Sequence, residues 1–402
     1  MSISSGSPGT PKPRLLAVAS HPIQYQAPLF RRLSTADEID FSVLFVQMPD
    51  ATQQGRGFGV PFTWDVPLLE GYRFSQVPTL LGDSLKGFWA ARIPGPVALL
   101  RNLKPDAVML TGWHIWPLVQ MLFAARWLGI PVLMRGESNA LRRRPWHARL
   151  LHRALLSQCR AFLPIGKASR AFYRGYGKPP ASLFDTPYFV DNERFASAAA
   201  EAERAREELR QRWCIPPDAT CFLYAGKLEH KKRILDVLEA LRIAVSKAPA
   251  PLHLLVVGTG ELMDAATRQV QQHALPVTFA GFLNQTQIPS AYVAADCLVL
   301  ASDYGETWGL VVNEAMACGR AAIVSDRVGC GPDLIASGVT GEIFAFGDVQ
   351  ALAEAMLRAA RHPETLASMG DAAKAKVMRD YSIERSAQGI LTAVRYALAR
   401  RP

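Results

Sequence analysis

Apolar runs of four to six residues alternate with stretches of helical periodicity along most of this chain. In the first half the apolar runs fall at 14–19, 41–46, 107–110, 132–135 and 161–164, and amphipathic stretches fall around Pro28 to Phe30, at 118–128 and at 149–159. Runs without a polar face belong to strands covered on both sides, so the alternation predicts βαβ units around a parallel sheet. Residues 51–89 break the pattern: they are rich in Gly and Pro, carry several aromatics and read as an irregular loop of the kind that serves function. A run of Ala, Glu and Arg at 198–213 reads as one charged helix, and a second βαβ series extends from Thr220 to about Tyr381. The last amphipathic stretch, 384–400, sets Ile390, Leu391, Val394 and Leu398 at helical spacing. The expected fold is α/β, with two Rossmann-like doubly wound domains facing a central cleft where ligands meet the carboxyl ends of the strands. The expected divisions are a loose tail at 1–13, a first domain at 14–197, a second at 198–382 and a closing helix at 383–402.

Composition agrees with two cores: 402 residues, 49% hydrophobic and 20% charged, exceed what one core organises. A net charge of +10 and a pI near 9.4 call for an acidic partner, namely a nucleoside diphosphate, a lipid pyrophosphate, an anionic membrane surface or nucleic acid. No zinc knuckle, RNA-binding aromatic signature or long basic stripe with interleaved aromatics is present, which ranks nucleic acid last. Six cysteines without paired spacing read as small buried hydrophobes in a reducing compartment. The first thirteen residues lack an apolar signal segment, and 117–134 is cut by Gln120, Arg126 and Gly129. The expected location is cytoplasmic, with peripheral contact at the inner membrane face.

Three stretches of the second half carry candidate chemistry. Glu306 and Glu314 stand eight positions apart, the first in a loop after an apolar strand at 295–300, the second inside an apolar helix at 310–318 closed by Gly319. Gly305 and Gly309 clear side chains from the helix mouth, whose free N–H groups suit a phosphate. A glutamate at a helix start is also a plain dipole partner, so the pair alone leaves both readings open. The strand ending Tyr224, Ala225, Gly226 runs into Lys227, Lys231, Lys232 and Arg233, a basic turn that is either solvated or faces an anion. The turn Gly258, Thr259, Gly260 resembles a dinucleotide fingerprint, but Met263 stands where the third glycine belongs and no acidic residue follows at the needed distance.

The segment from Asp303 to Gly319 closely resembles the E-x7-E motif of family 4 glycosyltransferases, which have the GT-B fold and retain anomeric configuration. The likeness covers most of the chain, most strongly 221–341. It implies that Glu306 lies by the donor sugar and Glu314 holds the ribose hydroxyls. Backbone at Thr307, Trp308, Gly309 and Leu310 would face the diphosphate, clamped by Lys227 and Lys232. Lys227 replaces the usual Arg, which keeps the charge and loses the bidentate fork, and Arg233 replaces a common Gly. Phe282 and Leu283 would edge the base, and the last helix would return to the first domain.

On the acceptor side, the first strand ends in Ser20, His21, Gln24, Tyr25 and Gln26, where relatives show a glycine-rich turn. His21 is either a core histidine or, with Gln24 and Tyr25, part of a hydroxyl-binding surface. His114 is the candidate for the histidine that approaches the donor in this family. Glu137 is either an acceptor ligand or a partner of Arg135. Residues 141–153 concentrate Arg beside Trp and Leu, which suits an anionic leaflet or a solvated face. The expected activity is a metal-independent, retaining transfer from a nucleotide diphosphate sugar to a carbohydrate or lipid-linked hydroxyl, in cell-surface polysaccharide or glycolipid synthesis. No cofactor and no metal site are expected. A nucleotide-sugar epimerase, a phosphorylase-like enzyme and a non-catalytic sugar-nucleotide or membrane-binding module are the rival readings.

Overall fold

The computed structural model describes residues 11–55 and 59–399, so most of the expected tail, 1–10, lies outside it. Eight short strands occupy the first half: β1 (Arg14–Ala19), β2 (Asp40–Phe45), β3 (Phe74–Gln76), β4 (Leu81–Gly82), β5 (Ala91–Arg92), β6 (Ala107–Leu110), β7 (Val132–Met134) and β8 (Ala161–Phe162). Six of them form one parallel sheet in the order β3-β2-β1-β6-β7-β8, and β4 pairs with β5 as a small antiparallel hairpin. The second half repeats the design with β9 (Thr220–Ala225), β10 (Leu252–Val257), β11 (Val277–Gly281), β12 (Cys297–Leu300), β13 (Ala321–Ser325) and β14 (Gly341–Phe344), in the order β11-β10-β9-β12-β13-β14. Each sheet winds outward in both directions from a central pair, β1 beside β6 and β9 beside β12. That reversal leaves a crevice at the carboxyl ends of the central strands.

Period-two alternation within single strands builds the two layers of each core. In β9, Cys221, Leu223 and Ala225 join the cluster that includes Val312, Ala315 and Met316, whereas Phe222 and Tyr224 join the cluster of Leu238, Leu241 and Leu352 on the other face. In β1, Leu15, Ala17 and Ala19 pack with Phe30 and Leu33, and Leu16 and Val18 pack with Leu118 and Leu122. The helix Ile383–Ala399 lays Ile390, Leu391 and Val394 onto the first of these clusters, so the end of the chain covers the sheet at its beginning. A Cβ at Gly389 would overlap the Asp185 carbonyl, which is how this helix lies so close to the segment joining the two halves.

Three sequence expectations differ from the structure. The charged run at 198–213 forms two helices, Asn192–Glu203 and Arg206–Arg212. The first begins earlier because the Asp191 side chain accepts from the Arg194 N–H at 3.2 Å. The second turns away so that Arg206 reaches Asp296 (2.5 Å) and Arg210 reaches the Pro216 and Ala219 carbonyls (2.8 and 2.6 Å), partners invisible to local periodicity. The region 51–89 is not wholly irregular: Asp50 caps a short helix, Ala51–Gln54, and β3 extends the sheet edge. Finally, Cys214 is exposed and Cys159 half-buried; the other four cysteines are buried hydrophobes.

One buried histidine is expected to make the fold sensitive to acid. Thr278 Oγ1 donates to the Trp213 carbonyl (2.7 Å), so His253 Nε2, 3.1 Å away, is the protonated nitrogen donating to Thr278. Burial, with Arg210 nearby, pushes this imidazole down to about 4 from its ordinary 6.5. The unfolded chain therefore takes up the proton first as pH falls. The neutral ring's contribution is intact above the unfolded value and is lost progressively as pH drops from there towards the folded value. Between pH 7 and 4, chemical denaturation should show the wild type losing about 2 kcal/mol more than His253→Gln, which can keep the hydrogen bond to Thr278; equal losses would place the acid sensitivity elsewhere.

Candidate functional site

The floor of the crevice is two glycine turns in contact. β9 turns at Gly226 and β10 at Gly258, and a Cβ on Gly258 would overlap the Gly226 carbonyl. Gly258 also has a φ of 122°, open to glycine alone at low cost. The Gly258-Thr259-Gly260 turn thus serves strand-end packing: Leu228 N–H donates to the Thr259 carbonyl (3.0 Å) and Leu262 N–H to the Leu228 carbonyl (3.0 Å).

Beyond β12, the loop at 303–309 is gripped on two sides. The Glu306 and Trp308 carbonyls accept from Gly329 N–H (3.1 Å) and Cys330 N–H (2.9 Å), and the Thr307 carbonyl accepts from Asn139 Nδ2 in the first half (3.0 Å). Side-chain-free backbone at Gly329 is required, because a Cβ there would overlap the Thr307 carbonyl. Gly309, with φ 102°, then opens the helix Leu310–Ala317. The Trp308 side chain does not face the crevice; it is buried against Tyr188 and Tyr381, its Nε1 donating to Asn313 Oδ1 at 2.8 Å. Leu310 is partly buried against the core, so at these positions only backbone can meet a ligand.

Glu306 pairs with Lys232 through a short contact between Oε2 and Nζ, and Ser302 Oγ lies 3.3 Å from the same oxygen. Gly226 lies beside this pair with φ 148°, a backbone that favours glycine; a Cβ there would meet the Lys232 ammonium only at ordinary contact distance, 3.7 Å. Lys227 lies 3.9 Å from Glu229, and burial lowers its ammonium from the ordinary value. Arg233 takes a left-handed backbone (φ 59°) at the start of the helix Ile234–Val245, where the usual glycine would be unstrained, and its guanidinium holds Asp236.

Glu314 is more deeply placed than its sequence position suggested. It is only 2% exposed, with Oε1 accepting from Tyr25 in the first half (2.9 Å) and Oε2 from Tyr292 (2.6 Å). Burial raises its carboxyl above the ordinary range while the two hydroxyls oppose that shift. Tyr25, expected to face an acceptor, is therefore a bridge between the halves. Gln24 lines a small cavity of about 130 Å³ with Tyr25, Arg194 and Gln285.

On the first sheet, His21 and His114 follow the neighbouring strands β1 and β6. Burial, with His114 adjacent, pushes His21 down to about 4, and burial also lowers His114, so both imidazoles are neutral at pH 7. His21 Nδ1 lies 3.1 Å from Ser20 Oγ. Glu137 forms no ion pair with Arg135 among the described residues; it accepts from Thr307 Oγ1 (2.8 Å) and, through a short contact, from Tyr188 O–H. Arg135 instead stacks its guanidinium 4.9 Å over the Tyr188 ring.

Phe282 packs against Phe62 of the first half, ring centroids 4.5 Å apart, and Leu283 rests on the core. The same crossing is sealed by Asn284 Nδ2 donating to the Thr63 carbonyl (2.8 Å) and by Thr286 on Asp65. The residues that sequence reasoning missed are partners rather than ligands: Tyr188, Tyr292 and Asp333, whose two carboxylate oxygens accept from Lys167 N–H at 3.0 Å each. Only Asn313, a polar residue inside an apolar helical run, left a signal in the sequence. Among the described residues no group of three or more His, Cys, Asp or Glu is placed to hold a metal ion, and no helix is long and apolar enough to cross a membrane.

The architecture matches a glycosyltransferase from Rickettsia africae (TM-score 0.73, 14% identity, 97% of this chain and 99% of that one) and Anabaena HepE in complex with UDP and glucose (TM-score 0.69, 14% identity, 95% and 99%). In sequence the chain is 30% identical over 208 residues to the D-inositol 3-phosphate glycosyltransferase 2 of Catenulispora acidiphila, covering 49% of this chain and 47% of that protein. It is 31% identical over 182 residues to the glycogen synthase of Mycobacterium tuberculosis, covering 45% and 43%. The chain thus spans about half the length of the curated relatives it matches. The two facing Rossmann-like units have the GT-B fold, and residues 205–376, which carry Lys227, Lys232, Glu306 and Glu314, match the family described as Glycosyl transferases group 1.

Proposed function

We propose that this protein is a retaining glycosyltransferase that moves a sugar from a nucleoside diphosphate donor to a carbohydrate or lipid-linked hydroxyl. The observation that carries the reading is the Lys232–Glu306 pair, which sets a cation and a carboxylate together in the loop that leads into the helix Leu310–Ala317. The family match over 205–376 and a structural neighbour holding UDP and glucose support the donor class.

In this reading the donor diphosphate takes over Lys232, assisted by Lys227 and the backbone N–H groups at 307–310, and Glu306, released from its ion pair, orients the sugar. Fixed cations and dipoles aimed at the leaving phosphate stabilise the charge that develops there. The acceptor oxygen forms its bond to the anomeric carbon on the face the phosphate leaves; the carbon–phosphate oxygen bond breaks, and the acceptor proton passes to the departing diphosphate. Neutral His114 offers a hydrogen bond to the donor sugar, and Gln24, His21 and Glu137 line the acceptor approach. Glu314 takes the ribose hydroxyls in place of the Tyr25 hydroxyl, and Phe282 and Leu283 border the base.

Three outcomes test the proposal. Lys232→Ala should weaken nucleoside diphosphate binding about tenfold or more by calorimetry with unchanged circular dichroism, because a hydrogen bond to a charged group contributes roughly 1.5–3 kcal/mol; unchanged affinity would move the diphosphate elsewhere.

Tyr25→Phe should do the reverse. If ribose hydroxyls replace the Tyr25 hydroxyl on Glu314, deleting that competitor should tighten the ribonucleotide about tenfold and leave a 2′,3′-dideoxy analogue unaffected.

Turnover should continue in EDTA, since Lys232, Lys227 and helix N–H groups supply the positive field, and proton NMR of the product should show the donor's anomeric configuration. Inversion, or activity restored only by added magnesium or manganese, would reject this mechanism while leaving sugar transfer itself standing.

A further inference from the structure

The helix Trp146–Leu156 carries apolar side chains well beyond the face that belongs to the core. Leu155 and Leu156 are buried beneath it, and His152 is packed against Trp113 (5.5 Å) and Phe172 (5.8 Å). Beyond that face, Trp146 is 73%, Leu150 57% and Leu151 59% exposed. A lone surface leucine needs no explanation, but three large apolar side chains on one turn and a half of helix form a patch with a purpose.

Its surroundings identify the chemistry that covers it. Between Ser138 and Phe184 the chain has ten Lys and Arg and no Asp or Glu. Arg142, Arg143 and Arg149 flank the patch, and among the described residues no carboxylate pairs with them. Two copies of this face would set those cations against each other, which disfavours self-association. An amphipathic helix with Trp and Leu on one face and Arg at its rim is the arrangement that lies in a headgroup layer, and at eleven residues it is too short to span one.

We propose that this face docks on an anionic lipid leaflet. The turn before the helix carries Asn139, which holds the Thr307 carbonyl, and Arg142, which lies 5.4 Å over the Tyr304 ring, so the docked face adjoins the mouth of the crevice. Peripheral docking there brings a hydroxyl carried by a membrane lipid alongside the Glu306 loop. The docking stands on this surface alone, and vesicle binding reads it without any assay of sugar transfer.

Sedimentation of the full-length protein with extruded vesicles tests it. Vesicles of phosphatidylcholine with about one-third phosphatidylglycerol should bind at least about tenfold more tightly than phosphatidylcholine alone, and added salt should weaken that binding. Arg142→Glu/Arg143→Glu/Arg149→Glu should fall to the neutral-vesicle level, and Leu150→Ser/Leu151→Ser, which keeps every charge, should lose about tenfold. Both variants should keep the wild-type circular dichroism and melting temperature, the changed residues being exposed. Equal binding by wild type and variants, or no preference for the anionic vesicles, overturns the proposal. So does release of the protein by soluble glycerophosphate, which would mean an isolated anion site, or a dimer dissolved by Leu150→Ser/Leu151→Ser, which would mean that a second copy covers the face.

Discussion

The crevice depends on the grip around three consecutive carbonyls, those of Glu306, Thr307 and Trp308. Each is held by a different donor: Gly329 and Cys330 from the loop after β13, and Asn139 from the first half of the chain. A loop whose carbonyls are turned inward has to satisfy them with donors from elsewhere, or the buried oxygens are left without partners. Glycine at 329 is the steric condition for that solution. With the carbonyls turned inward, the helix Leu310–Ala317 starts in a fixed direction, Trp308 fills the seam against Tyr188 and Tyr381, and Glu306 meets Lys232.

The same segment ties the two halves into one working unit. Thr307 binds Glu137, Asn313 donates to the Tyr188 carbonyl at 3.3 Å, Asp333 holds the start of the helix Lys167–Gly175, and Glu314 accepts from Tyr25. A buried carboxylate is tolerated only when hydroxyls or cations replace its lost hydration. Tyr25 and Tyr292 fill that role at Glu314, and a ribose diol has the chemistry to replace one of them. The bridge between the halves is thus built from the same group that the proposed donor would use, so in that proposal ligand binding and contact between the halves would be coupled.

Much of the fold was legible because parallel strands buried on both faces leave uninterrupted apolar runs, as at Leu252–Val257 and Thr220–Ala225. The break of the 198–213 helix was not, since it follows from Arg206 and Arg210 reaching Asp296 and carbonyls some eighty residues away. Nor was β3, three exposed residues that form a strand only because the edge of β2 is there to pair with. At the site, the sequence pointed to Glu306, Glu314, Lys227 and Lys232 through spacing and resemblance. It was silent on the roles of Tyr188, Tyr292 and Asp333, single polar residues in segments whose local patterns have no use for them.

What the sequence determined by itself was the periodicity of each element, the positions where glycine must free the backbone, and the charge that clusters beside Trp146. These properties are local, set by a residue and its near neighbours. Tertiary structure alone decided which groups meet: that Lys232 rests on Glu306, that Tyr25 crosses to Glu314, and that Trp308, one residue from Thr307, turns into the seam while Thr307 turns to Glu137. Spacing along a chain fixes neighbours within a turn or a strand. Partners far apart in the chain are chosen by how the sheets and loops pack and by which buried polar atoms that packing must satisfy.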